Sequence, residues 1–453
     1  MDQPSSGEAR FDSGSFRDPA SRVRWHGDQI ERVLTRQGLA DWKALQRSGL
    51  LEAEGARLIP TESVDGEPLL RHERVPFWTY PYEWSFGMLK AAALLQLELT
   101  ESALNRGLTL KDATPYNVQF RGAEPVFVDI GSFRSYEEGE PWLGYGQFCR
   151  LFLYPLLVQA HTGIPFRPLL RGSLDGVDPD TARAMLRGNR FKQGVLLDVV
   201  MQARAQRKSA GRDVRQELSE AGFKPEMIKA NLRRLHGVVA GLEWSAEKST
   251  WSEYGECTHV GSQREQKAEF VRKVVAQRRR NLIWDLGAND GYFSRLVAPQ
   301  SDWVVAADAD ELVIDRLFRG LRGSEAKNVL PIVYDLSDPS PGLGWRGRER
   351  KRLDERGRPD LVLLLAVVHH LVVSGNLPLT EVVDWLRSLE AEIVFEWVPP
   401  TDPMARQLAI NKREGEIHPD YDEATLRRSL GECFEIGSEV GLEGRILFHL
   451  LPR

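Results

Sequence analysis

The run Ile283-Trp284-Asp285-Leu286-Gly287-Ala288-Asn289-Asp290-Gly291-Tyr292-Phe293-Ser294 places an acid near the end of an apolar segment, followed by two glycines four apart. Such a run reads as a strand entering a tight turn that opens a helix, and it brings backbone N–H groups beside a ligand. Asp285 narrows the ligand. A carboxylate just before the turn repels a dinucleotide pyrophosphate but suits the amino group and sulfonium of S-adenosylmethionine. Asp308 ends the next apolar run, where a carboxylate accepts bonds from ribose hydroxyls. Asp335 ends a third and is placed to accept from an adenine amino group. Each Asp alone also reads as a turn or helix-capping residue. Three at successive strand ends point to a cofactor site.

His369 and His370 follow the apolar run LVLLLAVV, at a strand end where α/β sheets carry their chemistry. An imidazole with a pKa near neutrality suits a base that takes a proton from a hydroxyl or ammonium; the plain alternative is a packed, hydrogen-bonded histidine. Glu396, in EIVFEWVPP, is placed to orient an acceptor amine or hydroxyl, or else is a buried carboxylate paired with an arginine. The loop WRGRERKRLDERGRP gathers Arg346, Arg348, Arg350, Lys351, Arg352, Arg356 and Arg358. It reads first as a solvated charged loop, second as a site for an anionic group.

A separate constellation lies upstream. Asp112-Ala113-Thr114-Pro115-Tyr116-Asn117 and Asp129-Ile130-Gly131 resemble the D-x-x-x-x-N and D-x-G segments of protein-kinase-like phosphotransferases. There the first Asp accepts a substrate proton, and the Asn and second Asp hold Mg²⁺ on a nucleotide. No glycine-rich phosphate loop or V-A-I-K-like lysine precedes them, and Lys111 stands where H-R-D has arginine. A degenerate, kinase-like body that presents substrate or partner is the expectation, with Mg-nucleotide binding as an alternative.

Positioning these residues takes two kinds of scaffold. From about residue 264 onward, strand-like and helix-like runs alternate, which implies parallel βαβ units and a Rossmann-like doubly wound α/β sheet. Upstream, residues 25–54 carry apolar positions at helical spacing, Val64-Asp65-Gly66 signals a hairpin, and 85–106 reads as an Ala- and Leu-rich helix ended by Gly107. The division expected is a disordered arm (1–20), a small α+β region (21–80), a kinase-like helical lobe (81–245) and a methyltransferase domain (246–453), entered through the polar stretch 245–260.

Composition excludes several classes. The 453 residues are 42% hydrophobic, enough to fill real cores, and 60 Lys and Arg against 65 Asp and Glu leave a net charge of −5. That balance gives no expectation of general binding to nucleic acid. Cys149, Cys257 and Cys433 are too scattered for a disulfide framework or a cysteine-rich zinc site. The N-terminal residues lack a signal-like apolar core, and the longest apolar run, Leu361 to Val373, is too short to span a membrane. A cytoplasmic protein is expected, of undetermined oligomeric state.

The last two hundred residues resemble class I S-adenosylmethionine-dependent methyltransferases. That resemblance assigns cofactor contacts to Asp285, Gly287, Gly291, Asp308 and Asp335, with Asn289 in place of the pattern's middle glycine. The whole chain resembles the narrower nodulation protein NoeA-like family through YPYEWSFGMLKAAALL, LKDATPYNVQF, PVFVDIGSF, GWRGRERKRLDERGRPDLVLLLAVVHHLV and FEWVPPTDPM. It implies methyl transfer to an oxygen or nitrogen of a small-molecule or protein acceptor. Two other readings stay open: a non-catalytic sensor with a pseudokinase module, and a bifunctional phosphotransferase-methyltransferase.

Overall fold

The computed structural model describes residues 9–189, 192, 194–201, 224–244, 260–413 and 415–453. Cys257 and nearly all of the stretch 245–260 lie outside them. The chain divides into two units: unit 1 comprises 1–120, 124–246 and 342–351, and unit 2 comprises 121–123, 247–341 and 352–453. Residues 21–80 and 81–245 thus share one unit, apart from 121–123.

Unit 1 begins with a five-stranded antiparallel sheet built from β1 (Arg10–Phe11), β2 (Ser21–His26), β3 (Gln29–Leu34), β4 (Thr61–Ser63) and β5 (Leu69–His72), in the order β1-β2-β3-β5-β4. This corrects two expectations. Of the expected arm, residues 10–12 are built into the unit: Arg10 and Phe11 pair with Trp25 and Arg24, and Trp25 Nε1 donates to Asp12 at 3.0 Å, while residues 1–8 lie outside the described residues. The apolar residues after Trp25 are not one helix, because β2 and β3 form a hairpin across Gly27-Asp28 and helix begins only at Arg36, spanning Arg36–Arg47 and then Leu50–Glu54. Ile30, Val33 and Leu34 fit a helical spacing as well as a pleat, and pairing decides for the pleat.

The hairpin at Val64-Asp65-Gly66 forms, with Thr61 opposite His72. The long helix Phe86–Leu104 starts at Ser85, whose hydroxyl accepts from Met88 N at 3.4 Å, and the chain turns at Gly107 with φ +72°. Its residues are buried on most sides, including Leu89, Ala92, Leu95 and Leu99, so it is a core helix. Four short strands follow: β6 (Leu108–Leu110), β7 (Val118–Arg121), β8 (Glu124–Phe127) and β9 (Phe133–Ser135), paired β6 with β9 and β7 with β8.

Unit 2 holds a seven-stranded sheet made of β10 (Arg280–Leu286), β11 (Ser301–Asp308), β12 (Val329–Val333), β13 (Leu361–Leu364), β14 (Glu392–Trp397), β15 (Phe434–Leu442) and β16 (Arg445–Pro452). Its order is β12-β11-β10-β13-β14-β16-β15. The first five are parallel and β16 runs antiparallel to both neighbours. Every residue of β13 is buried, as expected of a strand covered on both faces. Strand order reverses between β10 and β13, which opens the crevice where ligands bind in α/β sheets. No described helix is long and apolar enough to cross a membrane.

Candidate functional site

The turn after β10 sits on one side of that reversal. Gly287 (φ +86°) and Gly291 (φ +73°) occupy the left-handed region, and a Cβ on either would come within 2.3 Å of Val367 or 2.4 Å of Leu317. Both backbone conformation and close packing therefore demand glycine. Asn289 takes φ +47°, which Asn tolerates better than other side-chain-bearing residues. Ala366, in the turn after β13, takes φ +54°. Left-handed backbone thus occurs on both strands flanking the crevice, a kind of strain that clusters at functional sites.

Asp285 lies level with Ala306 of β11 and Leu363 of β13, almost fully buried. Ser294, one turn into the helix Tyr292–Val297, donates its hydroxyl to Asp285 Oδ2 at 2.6 Å. Burial, with help from the negative charge of Asp308, pushes the Asp285 carboxyl up to about 7. Asp308 binds two backbone donors: Oδ2 accepts from Asn289 N and Oδ1 from Asp310 N, each at 2.9 Å. It thereby shapes the glycine turn and the start of the helix Glu311–Leu321. Each oxygen retains a further lone pair for a ligand hydroxyl. Burial raises its pKa as well. Asp335 stands two residues past β12, exposed, and accepts from Ser337 N and Oγ at 2.8 and 2.6 Å.

His369 and His370 follow Ala366 and stack with ring centroids 4.1 Å apart. His369 is fully buried, and neither ring nitrogen has a hydrogen-bond partner among the described residues. Burial, His370 and the cations Arg445 and Lys267 push His369 down to about 3; burial and Arg445 push His370 down to about 4. The expected near-neutral imidazole is thus corrected: burial and the neighbouring cations make both rings poor proton acceptors.

Glu396 is fully buried near the C-terminal end of β14, with Oε1 at 2.7 Å from Lys267 Nζ and 3.0 Å from Arg445 Nη1. Arg445 also donates to Asp402 at 2.8 Å. Of the two readings of Glu396, its first oxygen follows the paired-carboxylate one, while Oε2 has no hydrogen-bond partner among the described residues. Lys267, Arg445, Asp402 and Ser294 were not singled out from sequence. Ser294 was within reach, nine residues past Asp285 in the recognised motif. Asp402 was within reach too, six residues past Glu396 in FEWVPPTDPM; Lys267 and Arg445 come from distant segments and carry no local signal.

Unit 1 brings Asp112, Asn117 and Asp129 together. Lys111 N and Asp112 N bond to Ser132 O and Oγ (2.9 and 3.3 Å), and Val128 N bonds to Asn117 O (2.9 Å). Burial, Asp129 and Asp18 raise the Asp112 pKa. The arginine-rich loop divides. Within unit 1, Glu349 accepts two bonds from Arg17 at 2.7 and 2.9 Å, Lys351 pairs with Asp12 at 2.8 Å, and Arg350 stacks 4.3 Å over the Tyr116 ring. That part is a packed segment, which corrects the expectation of a solvated loop; Arg346 and Arg348 remain exposed.

No family model matches the chain. Among solved structures, the N-methyltransferase NodS from Bradyrhizobium japonicum WM9 in complex with S-adenosyl-L-homocysteine aligns with TM-score 0.30 and 14% identity, over 42% of this chain and 86% of that one. Magnesium protoporphyrin IX methyltransferase from Synechocystis PCC 6803 aligns with TM-score 0.28 and 21% identity, over 41% and 83%. Among curated proteins, the nodulation protein NoeA of Rhizobium meliloti (strain 1021) is 33% identical over 440 residues, 93% of this chain and 91% of that protein. On that extent of shared sequence, the chain belongs to the NoeA family.

Proposed function

We propose that unit 2 binds S-adenosylmethionine at the turn after β10 and catalyses methyl transfer to an oxygen or nitrogen of an acceptor, a small molecule or protein. The carrying observation is the donor set: Asp285 and Asp308 flank a glycine turn and are held by a hydroxyl and backbone N–H groups. Neutral donors leave their negative charge for a cationic ligand. Burial raises the pKa of Asp285, so its ionised form gains from a cationic partner.

The bound sulfonium supplies an electrophilic methyl group. Asp285 favours the cationic end of the ligand, Asp308 accepts from the ribose hydroxyls, and Asp335 receives the adenine amino group. The turn residues Gly287, Asn289 and Gly291 let the backbone approach. His369 and His370, neutral at pH 7, accept hydrogen bonds from the acceptor and align it. Glu396 keeps Lys267 and Arg445 in place around them. Unit 1 assists recognition of the acceptor or of a partner.

Calorimetry with S-adenosylhomocysteine tests the reading. Binding to the unmodified protein and its weakening in Asp308→Ala are expected; no binding to the unmodified protein overturns it. Labelled methyl donor, incubated with fractionated small-molecule and protein extracts, identifies the acceptor class. The low basicity of both histidines favours one alternative, a non-catalytic cofactor sensor. It predicts tight cofactor binding with no label transferred to any fraction.

A further inference from the structure

The cluster in unit 1 invites a Mg²⁺-nucleotide, and its residues do not fit one. In a phosphotransfer site the D-x-G carboxylate faces a divalent cation. Here Asp129 Oδ1 lies 2.8 Å from Nη2 of Arg32, on β3. Arg32 is built into the sheet, only 7% exposed. Its Nη1 donates to Ser21 Oγ at 2.9 Å and its Nε to His72 Nε2 at 3.3 Å.

The bonds around His72 close on one proton arrangement. Thr61 Oγ1 donates to Ile59 O at 2.9 Å and lies 2.8 Å from His72 Nδ1, so Nδ1 carries the proton and Nε2 is left to accept from Arg32. Burial and the charge of Arg32 push the His72 pKa down to about 3, which keeps the ring neutral. The glycine of D-x-G has a local reason too, since a Cβ on Gly131 would come within 2.8 Å of Arg32 Nη1. The second nearby cation is engaged as well: Lys111 lies 2.9 Å from Asp41 and donates to Gly131 O at 3.1 Å. Among the described residues, no three His, Cys, Asp or Glu side chains are grouped to hold a metal ion.

We propose that the guanidinium of Arg32 stands in the place of a divalent cation at Asp129, so that unit 1 takes no Mg²⁺-nucleotide and transfers no phosphate. Fixed positive charge replaces an exchangeable ion, and the D-x-x-x-x-N and D-x-G segments serve to order the unit. This inference is independent of cofactor binding in unit 2.

Mn²⁺ with ATP, followed by electron paramagnetic resonance on the full chain, counts bound metal directly. The free Mn²⁺-ATP signal is expected to be unchanged by the unmodified protein, whereas Arg32→Gln uncovers Asp129 and acquires bound Mn²⁺ that Asp129→Asn in the same background abolishes. Saturable Mn²⁺-ATP binding by the unmodified protein overturns the proposal, as does a folded Arg32→Gln chain that binds no Mn²⁺. If Arg32→Gln does not fold, thermal melts decide: the unmodified protein melts at the same temperature with and without Mg²⁺-ATP. A Mg²⁺-ATP-dependent rise that disappears in Asp129→Asn sinks the idea.

Discussion

Two acidic clusters, one in each unit, look alike in sequence and differ in what neutralises them. Asp285 and Asp308 are held by a serine hydroxyl and backbone N–H groups, while Asp129 is held by a guanidinium. Neutral donors fix a carboxylate's position and leave its charge to act on a ligand; a buried arginine fixes position and consumes the charge. A strand-end acid therefore marks a cation-accepting site only when its own protein partners are uncharged.

The largest effect expected from breaking this contrast is on folding. Arg32→Ala strands Asp129 beside Asp112 and Asp18 and is expected to cost about 3 kcal/mol, read as a lowered midpoint in urea. A loss below ~1 kcal/mol would place Asp129 with the ligand-facing acids. Asp308→Ala in unit 2 removes two turn bonds and the ligand contact proposed above, and is expected to weaken S-adenosylhomocysteine binding about 10- to 100-fold by calorimetry. Its effect on the Arg32 region should be nil.

The contrast sharpens with pH. Asp285 is half protonated near pH 7 when free, and a cationic ligand favours its ionised form, so affinity should fall as pH drops through about 7. Asp285→Asn should bind more weakly at pH 8 and lose that dependence. The stability linkage has the opposite sense. A carboxyl raised from its unfolded value contributes stability that is present at about pH 4 and lost as pH rises through about 7. His369 acts the other way: depressed to about 3, it leaves the native state unprotonated while the unfolded chain binds a proton. Stability from this group falls as pH drops below about 6.5, by at most about 1.4 kcal/mol per pH unit, and His369→Phe should flatten that limb. The smallest effect belongs to exposed pairs: Arg279→Ala, opposite Asp302, is expected to change stability by less than ~1 kcal/mol in the same urea titration.

Much of unit 2 was legible because its signals are local. The glycine turn and the acids at the ends of β11 and β12 lie within a few residues of the strands that carry them, and alternating apolar runs give the parallel sheet. Unit 1 was less so. Helical and pleated spacings coincide over Ile30 to Leu34, so strand β3 was hidden, and with it Arg32, about a hundred residues before the Gly131 it crowds. A search for a kinase-like lysine passes over an arginine inside QIERVL. Lys267 and Arg445 reach Glu396 from distant segments, and Arg445 also holds Asp402; only the tertiary register reveals that. The histidines were found by position, but their basicity depends on burial and on Arg445, which no local pattern encodes.

The bidentate bond between Arg17 and Glu349 joins residues 332 positions apart. During synthesis, the first strands of unit 1 leave the ribosome long before their partner exists. At about 5–20 residues per second, Arg17 and Asp12 wait some tens of seconds for Glu349 and Lys351. Nascent unit 1 therefore lacks these two ion pairs until about half of unit 2 has been translated, and a premature stop before residue 349 would strip them from the early-made unit as well as truncating the late one.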